Sequence, residues 1–190
     1  MSNIIDKAKE KFFQMVDEFG SDPYNLRSHI LEVEKWARYL LAKFPQADQE
    51  VVMLGVWLHD IGHYPISTEI DHAIKGEERS KEFLEKEKYP SDKMVEVLDC
   101  IRLHRCCDVV PSSWEAKIIA FADSASHLTD AVYFRMLRDN KNQGKNFDVV
   151  GKMERDFREL GFFPEIQNEL KELHMAWKKL IEVYEKVDLS

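Results

Sequence analysis

A chain of 190 residues, 44% hydrophobic and 33% charged, is long enough to bury one full core and too apolar to stay disordered. Its 27 Lys and Arg stand against 35 Asp and Glu, a net charge of −8, which argues against a general nucleic-acid or anionic-membrane binder, since either needs a basic face. The opening MSNIIDKAKEKFF has no long apolar core and the longest apolar run is residues 51–58, far short of the ~20 residues of a membrane span, so a cytoplasmic protein with no membrane partner is expected.

Residues 4–19 place Ile4, Ile5, Ala8, Phe12, Met15, Val16 and Phe19 at helical spacing, and Gly20 stops the run. Asp22-Pro23 reads as a helix start, with Asp22 as cap and Pro23 at the first helical position. The helix that follows turns Leu26, Ile30, Val33, Ala37 and Leu40 inward and carries His29 on the edge of that face. Phe44-Pro45 breaks it. Residues 47–61 form the next helix, apolar on nearly every side over 51–58, and a helix of that kind is buried. It runs onto His59-Asp60, polar groups that are costly at the wall of a core unless paired or bound to metal. Gly62 suits the left-handed turn that ends a helix.

Residues 63–71 form a loop long enough to rim a pocket, and 72–88 a charged helix with Ile74, Phe83 and Leu84 as its apolar contacts. Residues 92–103 bury Met94, Val95, Leu98 and Ile101 and end on His104; 105–113 form a second loop. Residues 114–128 carry Ile118, Ile119, Phe121, Ala122 and Asp123. A helix over 129–139 precedes NKNQGKN, the stretch expected to be flexible. Residues 147–160 and 164–187 close the chain as amphipathic helices. In the last, Ile166, Leu170, Leu173, Trp177, Leu180, Ile181 and Tyr184 fall at heptad-like steps, a stripe for packing on the bundle or for a homodimer seam. No internal repeat or strand pattern is present, so the fold class is all-α, a single-domain helical bundle spanning 1–190.

Five positions on or at the ends of different helices then fall into one order: His29, His59-Asp60, His72, His104, Asp123. With His-Asp-Ile-Gly at its centre, the pattern resembles the HD superfamily of metal-dependent phosphohydrolases over residues 24–128. The resemblance implies a bundle of the HD-domain type with a metal site in its core, completed by helices over 129–190. It also implies that the positions of His29, His59, Asp60 and Asp123 hold a first ion. The positions of His72 and His104 belong to members with a second ion, which Asp60 would bridge as the residue at the centre of catalysis. Imidazole and carboxylate donors suit two ions of Mn, Fe, Co, Ni or Zn. The activity implied is hydrolysis of a phosphate ester or anhydride, in a nucleotide or small phosphomonoester, by metal-activated water.

Lys75 and Arg79, three and seven residues after His72, and Arg105, directly after His104, are the candidate substrate-binding cations. Gly76 would let a substrate approach closely. His63 stands where family members often carry Lys and reads as a helix-end or rim residue; His127, four after Asp123, supports that carboxylate or packs; His174 lies on the last helix's surface. Cys100, Cys106 and Cys107 read as reduced thiols, with no second pair to complete a zinc site. No P-loop, dinucleotide glycine motif or nucleophile elbow is present. The alternatives are a nucleotide sensor without turnover and a di-iron oxygenase built on the same ligands.

Overall fold

Asp48 decides where the central helix begins. In the computed structural model, which describes residues 3–66, 69–106 and 109–187, its carboxylate accepts the backbone N–H groups of Glu50 at 2.9 Å and Val51 at 3.2 Å. Lys93 Nζ lies 2.7 Å from its other oxygen, and its own N–H donates to Glu115 Oε1 at 2.8 Å. The helix therefore starts at Gln49, two residues after the expected boundary, and ends at Leu58. Satisfying the first orphan N–H groups from one side chain fixes that start.

The chain divides into two compact units at Asp123. The first holds α1 (Ile4–Phe19), α2 (Leu26–Lys43), α3 (Gln49–Leu58), α4 (His72–Lys86), α5 (Ser91–Leu103) and α6 (Trp114–Thr129) as far as Asp123. Helix α3 packs against α1, α2 and α5, and α4 against α5. Residues 51–58 are all buried, and Trp57 meets the rings of Phe12 and Phe13 at 5.8 and 5.6 Å. At about 1.5–3 kcal/mol for each large apolar side chain removed from water, α3 is the element the unit is built on.

Two boundaries in this unit differ from expectation. Helix α2 starts at Leu26, because Asn25 takes a left-handed conformation (φ 56°) that no helix can include. Asp22 still caps it from a distance, accepting the N–H groups of Leu26 at 2.8 Å and Arg27 at 3.0 Å. On α5 the buried face is Val97, Cys100 and Ile101, while Val95 is exposed; the helix is rotated from the expected face so that its end delivers His104 inward. Cys100 is a buried thiol, Cys106 is half-buried, and Cys107 lies outside the described residues.

The second unit holds α6 from Ser124, then α7 (Val132–Gln143), α8 (Val149–Glu159), a 3-10 turn at Leu160–Phe162, α9 (Pro164–Glu169) and α10 (Lys171–Glu185). Helices α7, α8 and α10 pack on one another. The polar stretch expected to be flexible is in part ordered helix: α7 runs through Asn140 to Gln143 and stops at Gly144, φ 62°. The Asn140 side chain then closes the turn, donating to Phe147 O at 2.9 Å and accepting from Phe147 N at 2.8 Å. The last helix breaks at Leu170. Of its stripe, Ile166 and Ile181 are buried, Leu180 is exposed, and Trp177 donates to Leu128 O at 2.8 Å. His174 is not on the surface: its ring stacks on Phe157 at 4.0 Å. The fold is all-α, with no strand among the described residues, and none of their helices is long and apolar enough to cross a membrane.

Candidate metal centre

Where α3 ends, the backbone passes through tight turns (Ile61 N to Leu58 O at 3.3 Å, His63 N to Asp60 O at 3.1 Å) instead of continuing to residue 61 as expected. Gly62 shows why. It has no left-handed φ; a Cβ built on it would lie 2.0 Å from the His72 carbonyl oxygen and 2.5 Å from Gly76 N. Gly76 in turn faces the His59 carbonyl oxygen at 3.0 Å from its own built Cβ. The two glycines thus press the start of α4 onto the His-Asp turn, backbone against backbone, and bring His72 to Asp60. Gly76 admits the chain's own backbone rather than a substrate.

All six residues of the expected set converge. His29 Nε2 lies 3.1 Å from Asp123 Oδ1 and 3.4 Å from Asp60 Oδ2. His59 Nε2 lies 3.4 Å from Asp60 Oδ2 and 3.9 Å from Asp123 Oδ1. On the other oxygen, Asp60 Oδ1 is 3.5 Å from His72 Nε2 and 3.9 Å from His104 Nε2. His72 Nε2 and His104 Nε2 are 3.2 Å apart. The carboxylate of Asp60 therefore gives one oxygen to each of two imidazole sets.

A seventh residue joins them. His63 Nε2 is 3.3 Å from Asp60 Oδ1, and its ring stacks on His72 with centroids 3.9 Å apart. Sequence reading left His63 at the rim, although it stands three residues after Asp60, one turn on. Its segment is held from both sides. Tyr64, buried and stacked on Phe19 at 4.4 Å, donates its hydroxyl to Asp22 Oδ1 at 2.7 Å and accepts from Tyr24 N at 3.2 Å. Arg79 donates to Ile61 O at 2.8 Å and to Tyr64 O.

Two of the imidazoles have their tautomer fixed by backbone. His59 Nδ1 is 2.7 Å from Val56 O and His104 Nδ1 is 2.6 Å from Ile101 O. A carbonyl only accepts, so both rings carry a proton on Nδ1, which leaves Nε2 as the atom that faces Asp60. For His59 that atom is buried and makes no hydrogen bond. Burial pushes His104 down to about 4 and His72 down to about 2, so both rings are neutral near pH 7. His29 goes the other way: burial opposes its charge, but the carboxylates of Asp123 and Asp60 raise it to about 10. Burial alone would raise the Asp60 carboxyl; the imidazoles around it, His59 first, hold it well below the usual carboxylate range.

A cavity of about 290 Å³ opens beside His63 and His72, lined also by Tyr24, Lys75 and Arg105. Lys75 Nζ is 3.4 Å from Pro65 O and Arg105 pairs with Asp71. Arg79 is not brought there. Its guanidinium binds the two loop carbonyls and lines a different, larger groove of about 790 Å³ with Lys7 and Phe83, in which none of the clustered histidines takes part.

The donor set fits divalent metal. Two ligand atoms about 2.1 Å from one ion stand about 3.0–3.4 Å apart at octahedral to tetrahedral angles, the range that His29 keeps from Asp123 and Asp60 and that His59 and His63 keep from Asp60, while His59 stands 3.9 Å from Asp123. Two groups of donors, His29–His59–Asp123 and Asp60–His63–His72, each lie within 4.8 Å of one another, and the buried His59 Nε2, without a hydrogen bond beside two carboxylates, is placed as a donor to an ion would be. Residues 26–127 match the HD domain family model, more than half of the chain. The chain belongs to the HD-domain family. A crystal structure at 1.45 Å of a predicted HD superfamily hydrolase from an uncultured Thermotogales bacterium shares the fold at a TM-score of 0.53. It is 22% identical over 86% of this chain and 91% of its own. A comparison with the curated proteins gives no match. His29 lies in α2, His59 and Asp60 just past α3, His72 at the start of α4, His104 at the end of α5 and Asp123 in α6, so the cluster is gathered from five helices.

Proposed function

We propose that the protein is a metal-dependent phosphohydrolase that cleaves a phosphate ester or anhydride in a nucleotide or small phosphomonoester. One observation carries the reading: Asp60 turns its two oxygens towards two separate imidazole sets, at 3.4 Å on one side and 3.3–3.9 Å on the other. His29, His59 and Asp123 with Asp60 Oδ2 would hold one ion, and Asp60 Oδ1 with His72 and His104 a second, drawn from Mn, Fe, Co, Ni or Zn. Divalent ions bound there supply Lewis acidity, polarising a phosphoryl oxygen and lowering the pKa of water.

The chain's own residues do the rest. The Nδ1 tethers of His59 and His104 hold the rings in the ligating tautomer at no reorganisation cost. Lys75 and Arg105, on the wall of the cavity that reaches His72, neutralise and orient the phosphate. The substrate is small and soluble, the compartment the cytoplasm, and the net charge of −8 keeps long nucleic acids away.

The test is protein prepared without chelator, loaded with each of the five metals, and screened for phosphate release from nucleotides, cyclic nucleotides and phosphomonoesters beside elemental analysis. Metal-dependent release that vanishes in Asp60→Ala is expected. Stoichiometric metal and nucleotide binding without release across the panel would replace the reading with a sensor. Oxygen consumption by the iron form would replace it with an oxygenase.

A further inference from the structure

We infer that His63 is a ligand of the second ion, an assignment that rests on the two-ion reading above. Its Nε2 is nearer Asp60 Oδ1, at 3.3 Å, than the corresponding atoms of His72 at 3.5 Å and His104 at 3.9 Å. The distance is long for a charge-assisted hydrogen bond of about 2.7–2.9 Å and right for two donors about a common ion. The donor atoms of Asp60, His63 and His72 lie within 4.8 Å of one another. The ring is clamped in that position, parallel to His72 at 3.9 Å and against Tyr24 at 5.0 Å. The backbone that carries it is tied down on either side by the Arg79 guanidinium.

The two ions would then sit in unequal sites. The first takes two imidazoles and two carboxylates, His29, His59, Asp60 and Asp123. The second takes three imidazoles, His63, His72 and His104, and only a share of Asp60. Less negative charge makes the second site the weaker, and its nitrogen-rich set turns it from Mn towards Co, Ni, Zn and Fe. His63 also lines the cavity, so the second ion is the one that a ligand entering there meets.

The experiment titrates Co(II) into metal-free protein, following visible absorption and, after desalting, bound cobalt by elemental analysis. The native chain should take two equivalents, the second more weakly. His63→Phe keeps an aromatic ring against His72 and Tyr24 but has no donor atom. It should bind the first equivalent normally, which also certifies its fold, and the second about tenfold or more weakly with an altered spectrum. His63→Glu, which restores a donor, should take both. Two equivalents in His63→Phe with native affinity and spectrum would overturn the assignment, as would a native chain that stops at one. The first result leaves the hydrolase reading as it stands and the second reduces it to one ion, with phosphate release still its test; a native chain that binds no cobalt would remove both.

Discussion

Asp60 in the first unit and Asp156 in the second are both buried carboxylates ringed by basic side chains, and their neighbours treat them differently. Asp156 Oδ2 accepts the Tyr133 hydroxyl at 2.8 Å and lies 3.1 Å from His127 Nδ1 and 3.2 Å from Lys152 Nζ. Lys152 Nζ is itself 3.2 Å from that same His127 nitrogen. These are hydrogen-bond distances, and the network closes on itself as buried polar groups ordinarily do. Asp60 meets five imidazole nitrogens at 3.3–3.9 Å, and the His59 Nε2 beside it bonds to nothing. The Asp156 group is spaced for hydrogen bonds and the Asp60 group for donors around a shared ion, so spacing separates the two where residue types do not.

The largest effect that sharpens this contrast is on Asp60. Asp60→Ala removes an oxygen from both halves of the centre, so bound metal should be lost and turnover should fall on the order of a thousandfold or more, the scale of deleting a key electrostatic group. Asp156→Ala should do the reverse. Leaving Lys152, His127 and Tyr133 buried without their acceptor costs about 3 kcal/mol of stability, read as a lower urea midpoint at unchanged m-value. Metal per folded molecule should stay at the native value. Loss of metal in Asp156→Ala would break the distinction.

How far this was legible in the sequence follows the same line. The order His29, His59-Asp60, His72, His104, Asp123 is legible because it resembles the HD superfamily pattern and each residue falls on or at the end of an expected helix. His63 is not, because its approach to Asp60 depends on the turn after α3, set by Gly62 against the His72 carbonyl and not by any periodicity. Arg79 shared a helical face with His72 on paper, yet its guanidinium goes to the carbonyls of Ile61 and Tyr64, which only the folded loop presents. The start of α2 differs from the sequence pattern because Asp22 caps across a left-handed Asn25, and His174 is buried because its ring stacks on Phe157 of a different helix. Local signals located the elements; contacts between elements decided which side chains were free for chemistry.

Next in size is pH. In the metal-free protein His29 is raised to about 10 from about 6.5 when unfolded, so the folded state holds the extra proton between these values. Its stabilisation is complete below about pH 6.5 and is lost as pH rises towards 10, with a slope of at most about 1.4 kcal/mol per pH unit. His104 and His72, lowered to about 4 and about 2, act oppositely. The unfolded chain takes up their protons below about 6.5 and the folded one does not, so stability also falls as pH drops from there. Asp156, held below the ordinary carboxylate value by His127 and Lys152 against the effect of burial, loses its contribution only in stronger acid. Urea midpoints in chelator should therefore peak near pH 6.5. Saturating metal, which needs His29 deprotonated, should abolish the alkaline decline. A decline that persists with metal bound would mean that His29 is no ligand.

The smallest effects separate two cations on one helix. Lys75 lines the cavity at His63 and His72, and burial together with the neighbouring Arg79 charge lowers its pKa, an arrangement that an incoming phosphate would relieve. Lys75→Ala should raise KM about fivefold to tenfold with little change in kcat, the value of one partly exposed charge-assisted contact. Arg79, four residues on, makes its bonds to backbone. Arg79→Ala should leave KM close to native and lower stability by about 1–2 kcal/mol, since two loop carbonyls lose a shared donor. Because that loop carries His63, the same variant should weaken the second cobalt equivalent more than the first. Two substitutions of like charge would thus read out on different axes, one on substrate and one on the scaffold beneath the centre.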